Sequence, residues 1–399
     1  MNLVYLDHAS TTPCREEVWE AMRPYALFDY GNHNSLHSLG RRARQAVEDA
    51  RQSIANVLGC DGKEILFTSG GSDSDNLAIR GIGNHGRRGH VITTKVEHLA
   101  VLHACASLEA EGFEVTYLDV DEYGKVTPER VAGAMRNDTM LISIGHTNNE
   151  VGTIQPIGEI VQRVKARNSD VVFHTDAVQA VGNEVIDVRA LGVDLLSFTA
   201  QKFYGPKGIG GLYIRDGVRI KPQIVDTREK RGQEVGTVSV PLVVGMALAL
   251  KLATQELKTQ KTLWTPVRDR IIAGLLSIPD SRLNGHPTER LSTNISVCFL
   301  GISGEDVVLQ LDRLGICAST GSACTSGLVE PSHVLTAMGL PRRWALGALR
   351  LSLGRACTGL DPDRLVEQIR DIVEQLRSTN YAPYVDRPSR SPLRSELIV

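Results

Sequence analysis

The chain lacks what an exported or membrane-bound protein would show. Its first residues, MNLVYLDHAS, place no cationic stretch before an apolar core, and nowhere do eighteen apolar residues run uninterrupted. A cytoplasmic protein with no membrane association is the expectation. There is no CxxC pair, and the seven cysteines (Cys14, Cys60, Cys105, Cys298, Cys317, Cys324 and Cys357) are odd in number. That argues against a disulfide framework and against structural zinc, so free thiols and no metal site are expected. Charge of one sign is missing too: the formal net charge is -2, so bulk electrostatics give no reason to expect nucleic acid or an anionic surface as the main ligand. A small substrate or a protein partner is favoured instead. Internal repeats are also absent.

What is present is an ordinary globular composition, 42% hydrophobic and 23% charged over 399 residues, long enough for two domains. From about residue 38, helical and strand patterns alternate with short punctuation, as in strands joined by helical crossovers in a mostly parallel sheet. The spacing of Leu39, Ala43, Ala46, Val47, Ala50, Ile54, Val57 and Leu58 predicts a helix that Gly59 stops. Buried strands are expected at 64–68, 91–94, 115–118, 140–144, 171–173, 195–198 and 211–214, and a helix at 98–111. Thr127 and Pro128 read as the cap and first position of another helix. Past residue 260 longer helices are interleaved with a few strands such as 293–298, which suggests a smaller second domain that the first dozen residues join. The last stretch, 379–399, is rich in Pro, Ser and Arg with little apolar periodicity and reads as a flexible tail.

Three segments carry chemistry. Lys202 follows an apolar strand and precedes a glycine-rich turn, which sets an amine at the C-terminal edge of a sheet, where open α/β folds bind ligands. Asp176, in HTDAVQ, puts a carboxylate at the tip of the preceding strand. An amine able to form a Schiff base and a carboxylate facing a pyridinium nitrogen are the two groups that pyridoxal-phosphate chemistry asks of a protein. The third segment, FTSGGSDS at 67–74, breaks a strand into glycines and opens a helix with hydroxyl residues, offering backbone amides to a phosphate. It is no Walker loop, because the GKS or GKT ending is absent.

With these residues in view the chain resembles the class V aminotransferase group, and within it the cysteine desulfurases of the iron-sulfur-assembly and nitrogen-fixation type. The matching segments run from YLDHASTTP at 5–13 through YGNHNSLH, FTSGGSDSDN, VEH, TNNEVGTIQPI, HTDAVQAVG, KFYGPKGIGGLY and STGSACTSG to RLSLGR at 350–355. The resemblance implies a pyridoxal-phosphate fold type I homodimer, α/β, with a large mostly parallel sheet domain and a smaller α+β domain. Residues 13–258 would form the large cofactor-binding domain, and 1–12 with 259–378 the small one. By the same resemblance Lys202 is the Schiff-base lysine, Asp176 the partner of the pyridine nitrogen, and His98 the histidine stacked on the cofactor ring. Asn149 and Gln179 match side chains near the ring hydroxyl, Gly71, Ser72 and Thr199 match phosphate contacts, and Thr237 reaches the phosphate of the neighbouring subunit. Arg350 matches the arginine that grips the substrate carboxylate, a task suited to a planar bidentate donor. The chain departs from the family at Gln201, where histidine is usual but which can still donate to the phosphate, and at Glu234 and Ser239, where arginine and asparagine are usual. Gly71, Ser72 and Asp73 stand for the usual alanine, threonine and glutamate.

Cys324 lies in ASTGSACTSG at 318–327, small and hydroxyl residues with little to bury, which reads as a loop able to carry a thiol into a pocket. Cys298 and Cys317, among apolar residues, suit burial instead. The expected reaction converts L-cysteine to L-alanine, with sulfur accepted by Cys324 as a persulfide and passed to an acceptor protein. His98 is a candidate to take the thiol proton. The alternatives are a selenocysteine lyase or other carbon-sulfur lyase, an aminotransferase, or a scaffold subunit of a sulfur-transfer complex.

Overall fold

A computed structural model describes residues 3–83, 89–223, 236–321, 330–357 and 359–379. Cys324, Glu234 and residues 380–399 lie outside the described residues. The strands are β1 (Val4–Tyr5), β2 (Ile65–Thr68), β3 (His90–Thr94), β4 (Glu114–Leu118), β5 (Thr139–Ser143), β6 (Val172–Asp176), β7 (Leu195–Thr199), β8 (Gly210–Ile214), β9 (Ser281–Leu283), β10 (Asn294–Phe299), β11 (Ile316–Cys317) and β12 (Ala348–Ser352). The helices are α1 (Glu16–Leu27), α2 (Ser38–Leu58), α3 (Gly71–Gly83), α4 (Leu99–Ala110), α5 (Pro128–Ala134), α6 (Ile157–Arg167), α7 (Val188–Leu191), α8 (Val240–Leu276), α9 (Gly304–Arg313), α10 (His333–Ala337), α11 (Arg342–Ala345) and α12 (Pro362–Ser378).

Seven strands form one sheet in the order β2-β8-β7-β6-β5-β3-β4. β4, β3, β5, β6 and β7 run parallel, while β8 pairs antiparallel with both β7 and β2. The central strands are apolar on both faces because helices cover both. On one face α2 and α8 pack Val47, Ile54, Val243 and Leu250 against Phe173 and Phe198. On the other, α3 and α4 pack Ile79, Ile82, Val101 and Leu108 against Val91, Leu141 and Leu195. α2 ends as the sequence predicts, with Gly59 left-handed at φ 73°. Thr127 caps α5 by accepting the Arg130 amide. Glu64, expected in a strand, sits instead in a 3-10 turn at Gly62–Glu64, where its carboxylate accepts the Asp61 amide in a capping box.

A second core gathers Leu6, Ile295, Val297, Leu349, Leu351, Ile369 and Val373 around the sheet β12-β10-β9, with β1 and β11 paired in parallel beside it. α8 belongs to both cores: Val243, Met246 and Leu250 lie in the first, Trp264, Ile271 and Leu275 in the second. Residue 258 therefore falls inside one continuous helix of 37 residues. α8 is long and apolar enough to cross a membrane by length and composition, but half of its most apolar window is buried inside the fold.

Candidate active site

The site forms where the C-terminal ends of β6 and β7 meet the N-terminal segment 7–10. β6 ends at Asp176 and β7 runs into a 3-10 turn, Ala200–Lys202, so the parallel register sets the carboxylate and the amine on neighbouring strands at one sheet edge. Lys202 Nζ donates to the carbonyl of Ala9 at 2.5 Å and of Ser10 at 2.7 Å. Burial, reinforced by the Arg350 charge, lowers its pKa to about 8, while Asp176 and Asp7 pull the other way. An amine so held is a nucleophile within reach of neutral pH.

Asp176 is partly buried and its Oδ1 accepts the Val178 amide at 2.9 Å. Burial raises its pKa, and His98, the Val178 amide and Lys202 oppose that rise. His98 caps α4: its Nδ1 accepts the Ala100 amide at 3.1 Å. Neutral His98 therefore carries its proton on Nε2. Burial lowers its pKa, Asp176 raises it, and Lys202 lowers it.

Arg350, on β12, donates through Nη2 to Asp7 Oδ1 and Ser10 Oγ, each at 2.8 Å, and through Nη1 to the Asn149 carbonyl at 3.0 Å. Its Nε is buried with no partner among the described residues. The Nε–Nη2 edge is thus the one on which a carboxylate gains most, since it satisfies an orphaned donor. Gln179 Nε2 donates to the Ala9 carbonyl at 2.9 Å. One four-residue segment therefore takes hydrogen bonds from Lys202, Gln179 and Arg350 together. Sequence reasoning did not find this role, because backbone carbonyls leave no side-chain signature; the quoted YLDHASTTP was the only pointer.

The phosphate turn also forms. α3 starts at Gly71, and the first intrahelical bond at this end runs from the Ser74 amide to the Gly70 carbonyl at 3.0 Å, so the preceding amides are helix-terminal donors. A Cβ on Gly71 would lie 2.7 Å from Val178 Cγ2, in the turn that follows Asp176. Asp73 turns its carboxylate back to the Ser69 amide and hydroxyl, at 2.9 and 3.0 Å. Thr199 is buried with its hydroxyl donated to the Ile209 carbonyl at 2.9 Å, and Ser72 is exposed. Gln201 Oε1 accepts from Thr11 Oγ1 at 3.2 Å. Asn149 lines the pocket beside Lys202 together with His8, Gln179, Asn183 and Tyr204. Thr237 is exposed on this single chain and takes no part in that pocket. Of the sequence-predicted residues, the structure brings Lys202, Asp176, His98 and Arg350 into one electrostatic neighbourhood; Cys324 lies outside the described residues.

A pyridoxal phosphate fits this donor set. The amine, the partly buried acid and a helix N-terminus where a side chain would not fit converge from β7, β6 and α3. Three further buried acids escaped sequence reasoning. Asp75 on α3 is pushed well above the usual carboxylate range by burial and by Asp176. Burial raises Glu97 to about 8, although it accepts from Thr94 Oγ1 at 2.6 Å and the Gly145 amide at 2.8 Å. Burial raises Glu150 to about 7, against a hydrogen bond from the Ser332 hydroxyl. Nothing in an acidic residue's sequence context marks it as buried.

The aminotransferase class-V family model matches residues 4–365. Cysteine desulfurase IscS of Methanosarcina thermophila is 50% identical over 390 residues, covering 97% of this chain and 96% of that protein. Among solved structures, a NifS-like protein superposes with a TM-score of 0.88 at 37% identity, over 94% of this chain and 100% of the other. SspA in complex with cysteine does so with a TM-score of 0.76 at 36% identity, over 88% and 98%.

Proposed function

We propose that Lys202 carries pyridoxal phosphate in this chain, which belongs to the aminotransferase class-V family and, within it, to the cysteine desulfurases. The observation that carries the proposal is the Lys202 amine, lowered to about 8 and set beside the partly buried carboxylate of Asp176. Asp176 would hold a proton on the ring nitrogen, and His98 would cover the ring from the N-terminus of α4. Gln179 and Asn149 would face the ring hydroxyl. The amides of Gly71 and Ser72, with Thr199 and Gln201, would hold the phosphate, and Thr237 would reach the phosphate of a second copy. When bound, the cofactor supplies an electron sink for breaking the Cα–H and Cβ–S bonds of an amino acid.

Each protein group then has a defined task. Arg350 binds the L-cysteine carboxylate along its Nε–Nη2 edge, which requires Ser10 or Asp7 to yield a bond. Lys202, freed from the Ala9 and Ser10 carbonyls, moves the Cα proton. Cys324, as thiolate, attacks the substrate sulfur: an S–S bond forms, the Cβ–S bond breaks with its electron pair left on carbon, and protonation at Cβ yields alanine. His98 can take the thiol proton only at Nδ1, its unprotonated nitrogen, which must first release the Ala100 amide. The Cys324 persulfide is passed to an acceptor protein.

Residues 13–258 and the combination of 1–12 with 259–378 would act as the large and small domains, joined through α8. A homodimer is supported by the exposed Trp19, Phe28, Tyr30 and Leu36 in and after α1, an apolar group that a lone chain leaves in water. The reducing cytoplasm suits a reaction that needs Cys324 as a free thiol. The test is titration of pyridoxal phosphate into the purified protein: wild type develops a visible absorbance band from the linked cofactor, Lys202→Ala does not, and an identical band in both would refute the assignment.

A further inference from the structure

Asp75 has no task in that scheme, yet it is buried to 1% exposure on the third turn-forming residue after Ser72 in α3. Its Oδ1 has no hydrogen-bond partner and lies 3.7 Å from His174 Nε2. His174 and Asp176 point to the same face of β6, two residues apart, and that is the face on which α3 lies. His174 is itself fully buried and joins Ser143 Oγ through Nδ1 at 2.8 Å and Ser197 Oγ through Nε2 at 3.0 Å. Burial lowers its pKa to about 3, so it is neutral and offers Asp75 no counter-charge.

We propose that Asp75 is a positioning residue that keeps its proton, so that the pair of buried Asp75 and partly buried Asp176 carries a single negative charge and Asp176 owns it. The inference rests on the reading of Asp176 as the ring-nitrogen partner. Two carboxylates in one buried site cannot both ionise cheaply, and their surroundings decide which one does. Asp176 has the Val178 amide donating to it and the Lys202 amine as a cationic neighbour. Asp75 faces Asp176 and Glu97, both acids, and only the Ser197 hydroxyl favours its charged form. A buried ionised oxygen without a donor is among the costliest arrangements in a protein.

The proton also selects a register for the chain Asp75–Ser197–His174–Ser143. With Asp75 protonated, its hydroxyl donates to Ser197 Oγ, Ser197 donates to His174 Nε2, and Nδ1–H donates to Ser143 Oγ. With Asp75 ionised every donor reverses and Nε2 carries the imidazole proton. Loss of the Asp75 proton would set a second negative charge beside Asp176 and strengthen the attraction for a protonated ring nitrogen.

The experiment compares wild-type holoenzyme with Asp75→Asn, which is neutral at every pH. At neutral pH the infrared difference spectrum, wild type minus variant, should contain the carbonyl band of a protonated carboxylic acid. As pH rises, the affinity of the wild type for pyridoxal phosphate should gain on that of Asp75→Asn by at least about tenfold, one decade for each unit of coupled titration, on top of the Lys202 dependence that both share. If Asp75→Asn folds poorly, Ser197→Ala serves: the band persists and the alkaline transition moves to higher pH. A difference spectrum with only ionised carboxylate bands, or parallel pH profiles, overturns the proposal. Asp176→Asn tests the underlying reading separately, because it should weaken cofactor binding at every pH, whereas the Asp75 band needs no cofactor.

Discussion

At the scale of residues, the site joins groups whose charges are set by burial as much as by type. The Lys202 amine is lowered to about 8 chiefly by desolvation, so the uncharged form that attacks an aldehyde grows as pH rises through that value and saturates above it. The rate of cofactor loading, followed by absorbance, should rise accordingly; a flat profile would mean the amine is not what limits loading. Arg350→Lys keeps the charge but loses the planar Nε–Nη2 edge. It should raise KM for L-cysteine about tenfold or more, the equivalent of about 1.4 kcal/mol, with a smaller change in kcat. Lys202 and Asp176 were legible in the sequence because each follows an apolar run that could only be a buried strand. Asp7, Asp75 and the carbonyls of Ala9 and Ser10 were not, since their roles arise from chain segments more than 60 positions apart.

At the scale of elements, the sheet tolerates little extra volume where strands pass bulky neighbours. A Cβ on Gly211 of β8 would lie 2.2 Å from Phe198 Cζ, in the ring that β7 packs beneath it. Gly211→Ala should cost about 1–3 kcal/mol by overpacking. Gly133, in α5, has nothing within 4 Å of an added Cβ, so Gly133→Ala should stabilise by about 0.5–1 kcal/mol through helix propensity. Denaturant titration of both variants checks the contrast, and equal effects would contradict the packing described. Strand and helix identities were readable from apolar runs and caps such as Thr127 and Gly59. The antiparallel placement of β8 between β7 and β2 was not, because pairing partners are decided by tertiary packing rather than by either strand's own pattern.

At the scale of the whole molecule, a single copy leaves Trp19, Phe28 and Tyr30 at 59%, 63% and 70% exposure, and Thr237 exposed and outside this chain's own pocket. Trp19→Glu with Phe28→Glu should shift the protein toward monomer in sedimentation and, by withdrawing Thr237 from the partner's phosphate, weaken cofactor binding. A dimer unchanged in both respects would place the interface elsewhere. The sequence changes pattern near residue 260, whereas α8 runs continuously through that point and carries Pro266 inside it. The central claim is that sulfur leaves cysteine and comes to rest on Cys324. The most direct measurement is the mass of the Cys324-containing peptide after the holoenzyme meets L-cysteine without an acceptor. A gain of one sulfur atom on that peptide, with alanine formed in equal amount and both lost in Cys324→Ala, is the expected result; alanine formed by Cys324→Ala at the wild-type rate would contradict it.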